Sequence, residues 1–92
     1  MNKFMLDEKD FILLKSILSS ISNPIYVYGS RVKSCAKQFS DIDLYVEGNI
    51  SDETLSNLIT RLDESNLSIK VDIKNKLSSD FLESVQPDFV RL

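Results

Sequence analysis

Asp41 and Asp43 stand two apart in the run Ser40-Asp41-Ile42-Asp43-Leu44, and a Gly29-Ser30-Arg31 turn precedes them, with ten residues between Ser30 and Asp41. Carboxylates at i and i+2 of a strand share a face, and crowded carboxylates either raise a pKa or recruit a cation. An all-oxygen set suits Mg²⁺ or Mn²⁺, which take one or two protein carboxylates and complete their shell with water and phosphate oxygens. The glycine lets backbone come close to a phosphate, and amides opening a short helix after it, with the Ser30 hydroxyl, can cradle anionic oxygens. Arg31, Lys33 and Lys37 would add positive charge there. Each half also has a plain reading: alternating acids solvate the open face of a sheet, and Gly-Ser after a strand is an ordinary turn. Their joint spacing favours chemistry, because it sets a phosphate cradle at the end of one strand and a cation-binding pair at the start of the next.

Composition narrows that chemistry. The chain has no histidine, so proton transfer falls to carboxylates, lysine, tyrosine or metal-bound water. The single cysteine, Cys35, has neither a disulfide partner nor a zinc or catalytic companion, and reads as a bystander. A net charge of −3 with interspersed signs argues against an independent nucleic-acid surface, though a local site for a phosphorylated ligand is compatible with it. No apolar run reaches the roughly 20 residues of a membrane span, and the start, M-N-K-F-M-L-D-E-K-D, turns acidic before a signal core forms. The expected address is the cytoplasm. Ninety-two residues make room for one domain, 1–92, with one core.

The elements that must position these residues follow from periodicity. Asp7 and Glu8 open an amphipathic helix carrying Phe11, Leu14, Ile17, Leu18 and Ile21, ended by Ser22-Asn23-Pro24. Ile25 to Tyr28 is β-branched and aromatic, hence a strand stopping at Gly29, after which a short helical turn and a loop run to Ser40. Ile42, Leu44 and Val46 alternate with Asp41, Asp43, Tyr45 and Glu47 in a second strand. Ser51 caps a helix with Leu55, Leu58, Ile59 and Leu62 on its apolar face. Ile69, Val71 and Ile73 then alternate with Lys70, Asp72 and Lys74 in a third strand. Ser78 or Ser79 caps a short helix with Phe81, Leu82 and Val85, stopped near Pro87, and Phe89-Val90 forms an edge strand or docks on the core. The expected fold is α/β (α+β), a small mixed sheet covered on one face by helices. If the apolar sides of the second and third strands both face the helices, Asp72 points out beside Asp41 and Asp43. Tyr26, Tyr28 and Tyr45 read as strand packing, with base stacking as the alternative.

Gly29-Ser30-Arg31 followed by Asp41-Ile42-Asp43-Leu44 resembles the signature of the nucleotidyltransferases of the DNA polymerase β superfamily, and the size and element order resemble its minimal branch, which includes the MntA-type antitoxins. Asp72, in Val71-Asp72-Ile73, falls where that family places its third carboxylate. The resemblance implies Gly29, Ser30 and Arg31 at the nucleotide, Asp41 and Asp43 as ligands of Mg²⁺ or Mn²⁺, and Asp72 completing the metal site and helping to activate an acceptor hydroxyl. It also implies transfer of a nucleoside monophosphate, AMP from ATP, with a HEPN-domain protein as partner and acceptor. Many relatives carry glycine where this chain has Ser34, which bears on the loop's path. The alternative is a nucleotide-binding module of little or no activity that works by covering a partner protein.

Overall fold

The computed structural model describes residues 4–32 and 41–92. In chain order the elements are α1 (Glu8–Leu18), β1 (Ile25–Tyr28), a 3-10 turn (Gly29–Arg31), β2 (Ile42–Val46), α2 (Asp52–Asp63), β3 (Val71–Lys74), α3 (Ser79–Val85), a second 3-10 turn (Gln86–Asp88) and β4 (Val90–Arg91). The strands form one mixed sheet in the order β3-β2-β1-β4. β1 is antiparallel to both β2 and β4, whereas β2 and β3 run parallel because α2 carries the chain back between them.

Local signals account for the element ends. Ser51 accepts from the Thr54 amide at 3.1 Å and Ser78 from the Phe81 amide at 3.3 Å, so each caps its helix through one orphan donor. The helix expected to run on to Ser22 stops at Leu18. There Ser19 turns its hydroxyl onto the Ser16 carbonyl at 2.6 Å, and the Ile21 amide reaches only the Leu18 carbonyl, so a serine-rich stretch competes with the helical ladder. β3 is shorter than its alternation suggested, but Ile69 is still buried, and the Lys70 carbonyl already accepts from the Ile42 amide at 3.0 Å.

The period-two pattern sorts the strands' side chains cleanly. Ile25, Val27, Ile42, Leu44, Val46 and Ile73 face α1 and α2 and pack with Leu14, Ile17, Leu18, Leu58 and Leu62. Phe4 and Leu6, ahead of α1, close the same core. On the other side of the sheet, Phe89 stacks on Tyr26 and Tyr45 at centroid distances of 5.3 and 5.4 Å, and Phe81 meets Tyr28 edge-on at 6.1 Å. The tyrosines are therefore packing, and the chain's last segment supplies both an edge strand and an aromatic cover for part of the outward face. Among the described residues, no helix is long and apolar enough to cross a membrane.

Candidate active site

β-Pairing builds the site as a row across three strands. Tyr28 is the register partner of Asp43 in the antiparallel pair, and Asp43 is the register partner of Asp72 in the parallel pair. Register partners in one sheet share a face, so all three point away from the core. Asp41, one residue ahead of β2, is exposed and close enough to Asp43 to act on it electrostatically. The next row outward is Tyr26, Tyr45 and Lys74, and the Lys74 Nζ lies 3.6 Å from Asp72 Oδ2.

The electrostatics follow from that crowding. Burial, and then the charge of Asp72, raises the Asp43 pKa above the ordinary aspartate range; Lys74 offsets this in part and Asp41 adds to it. The Tyr28 phenol is likewise raised, by burial first and then by Asp43 and Asp72. Among the described residues, no three acidic or thiol side chains converge on a single point as a ready-made metal cage. The carboxylates form a row, not a cage.

Gly29 joins the row to the turn. Its φ is +81°, a conformation that favours glycine, and a Cβ placed on it would lie 2.7 Å from Asp43 Oδ2. The Asp43 carboxylate thus occupies the space a side chain would fill at residue 29. Glycine was expected here for close approach of a phosphate; it is also required for close approach of the aspartate. Ser30 lies within the 3-10 turn, which the Val32 amide closes onto the Gly29 carbonyl at 3.1 Å.

Arg31, expected at the nucleotide, has a buried side chain. It is only 1% exposed, and its Nη1 donates to the Met5 carbonyl at 2.7 Å. Met5 holds a φ of +61°, which few residues other than glycine adopt, and this bond helps to fix it there. Arg31 therefore ties the segment before α1 to the Gly29–Arg31 turn. Lys33, Ser34, Cys35 and Lys37 lie outside the described residues.

Two side chains that periodicity alone did not single out hold β3, and with it Asp72, in register. Asp10 of α1 is 7% exposed; it accepts from the Ser68 amide at 3.2 Å and from the Ser68 hydroxyl. At the other end, Asn75 donates to the carbonyls of Val46 and Gly48 at 2.9 and 3.0 Å. A signal for Asp10 was present, since it falls on the helical stripe with Leu14 and Ile17, where an acid needs a buried partner. Asn75, just past a strand, had no such mark.

A family model described as Polymerase beta, Nucleotidyltransferase, matches residues 13–86, well over half of the chain. The chain belongs to the polymerase beta nucleotidyltransferase family. The match runs through the Gly29 turn, the Asp41–Asp43 pair and Asp72, so the geometry above is that of a nucleotidyltransferase domain. No curated protein matches the chain. The donor set of this nucleotidyltransferase domain fits a hard divalent cation: oxygen ligands only, carboxylates that, among the described residues, raise the cost of ionising Asp43, and a side-chain-free turn directly against Asp43. A row without a cage suits a cation whose shell is completed by water and phosphate.

Proposed function

We propose that this domain transfers a nucleoside monophosphate, AMP from ATP, to an acceptor hydroxyl in a Mg²⁺- or Mn²⁺-dependent reaction that releases pyrophosphate. The observation that carries this reading is the contact between the Gly29 turn and the Asp43 carboxylate, which brings a phosphate-type backbone cradle and a cation ligand to the same spot. In this reading the Gly29 and Ser30 backbone takes the triphosphate, and Asp41 and Asp43 hold the cation. Arg31 acts by keeping the turn's shape. Asp72, register partner of Asp43, completes the cation site and accepts the proton of the acceptor hydroxyl as its oxygen bonds to the α-phosphorus and the bond to the pyrophosphate oxygen breaks. When bound, the cation supplies charge neutralisation for the polyphosphate and the leaving pyrophosphate.

A HEPN-domain protein in the cytoplasm is the acceptor we propose, on the strength of the family resemblance, with the domain acting as its antitoxin. The second reading is a nucleotide-binding module of little or no activity that works by covering its partner. The two are separated by incubating the purified chain with Mg²⁺, labelled ATP and a HEPN-domain protein. The expected result is label on the partner protein, lost in Asp41→Ala and Asp43→Asn. Undiminished labelling by both variants would sink the carboxylate assignment. A tight complex without label from the wild type would favour the binding module.

A further inference from the structure

Among the described residues, Lys74 is paired with the carboxylate row. It lies two residues past Asp72 on β3, on the same outward face, with Nζ 3.6 Å from Asp72 Oδ2. Its charge also acts on Asp43 against that of Asp72 and Asp41, so it serves the row and not Asp72 alone. The pair is half-exposed, at 46% for Lys74 and 42% for Asp72. An exposed pair at that distance is weak and readily exchanged.

We propose that Lys74 is a built-in stand-in for the divalent cation: it partly neutralises the row in the metal-free protein and must be displaced from Asp72 before the cation binds, so that it sets the domain's cation affinity. This rests on the nucleotidyl-transfer reading above. Exchange requires that the side chain move while the backbone stays. β3 is pinned at both ends, by Asp10 on Ser68 and by Asn75 on Val46 and Gly48, so displacing Lys74 need not disturb Asp72.

The test is Mn²⁺ binding to the intact chain, read from the free-ion electron paramagnetic resonance signal, with thermal melting alongside. Lys74→Gln should bind Mn²⁺ about two- to fivefold more tightly than wild type, the reach of an exposed ion pair, while Lys74→Arg keeps wild-type affinity. Metal-free Lys74→Gln should melt lower at neutral pH and regain the loss when Mn²⁺ is added. Unchanged or weaker Mn²⁺ binding by Lys74→Gln, with wild-type binding abolished in Asp43→Asn, overturns the role of Lys74 and leaves the carboxylate site standing. Equal Mn²⁺ binding by wild type and Asp43→Asn, or none by wild type, overturns both.

Discussion

The two faces of the sheet are made by the same strands and differ in what alternate residues are asked to do. Inward, Val27, Ile42 and Leu44 are fully buried against α1 and α2, and any apolar residue of similar volume would satisfy them. Outward, Tyr28, Asp43 and Asp72 form a row in which Asp72 disfavours the charged form of Asp43 and both carboxylates disfavour that of Tyr28. Nothing in the packing requires two facing carboxylates, so the inner face explains why the chain folds and the outer face what it holds.

Adjacent residues of β2 give the sharpest way to break that contrast. Leu44→Ala should cost about 2–5 kcal/mol, a large share of the 5–15 kcal/mol that typically holds a small domain together. Asp43→Asn, one residue away, removes a charge from a self-repelling row and should leave stability at neutral pH unchanged or raised. Urea denaturation of the two variants measures both. If Asp43→Asn lost as much as Leu44→Ala, the outward row would be structural and the contrast would fail.

A second, smaller effect tests whether turn and row are one site. Gly29→Ala should cost about 1–3 kcal/mol, from a positive φ imposed on alanine and from a Cβ set 2.7 Å from Asp43 Oδ2. In an Asp43→Ala background the second part vanishes and only the backbone strain remains. A double-mutant cycle should therefore show Gly29→Ala less costly there. Equal costs in both backgrounds would mean that the carboxylate does not use the space at residue 29.

Why the row was legible in the sequence, and the rest was not, has a physical reason. Strand periodicity is local, so placing Asp72 on the face of Asp43 needed only the apolar identities of Ile42, Leu44, Val71 and Ile73. Asp41, Asp43, Gly29 and Ser30 came from spacing in the same way. Arg31 stands in a polar stretch of sequence, and its burial against the Met5 carbonyl depends on a segment 26 residues away, which local spacing does not reveal. The Asp10–Ser68 link joins residues 58 apart, and the Asn75–Gly48 link residues 27 apart; the helical stripe marks Asp10 as facing inward, but local spacing names neither its partner nor that of Asn75. Phe89 was placed on an edge strand or the core, yet its ring lies on the outward tyrosines, where an apolar side chain would not be sought on a face carrying charge.

The smallest expected effect is a pH dependence that isolates Asp43. A carboxyl whose pKa is higher folded than unfolded holds its proton more firmly when folded. Its stabilising contribution is therefore fully present below the unfolded value, ~3.9, and is lost as pH rises through the raised folded value. Asn at this position cannot titrate. Subtracting the Asp43→Asn stability from that of wild type at each pH largely cancels the other carboxylates, and the difference should turn against wild type from ~4 upward and then level off. Tyr28 has the same sign, but its window lies above ~10, well clear of this one. Lys74 narrows the step by favouring the charged form of Asp43, so the Lys74→Gln background should widen it. A difference that instead favoured wild type as pH rose would mean that Asp43 is held charged by a partner, and the row would have to be redrawn around that cation.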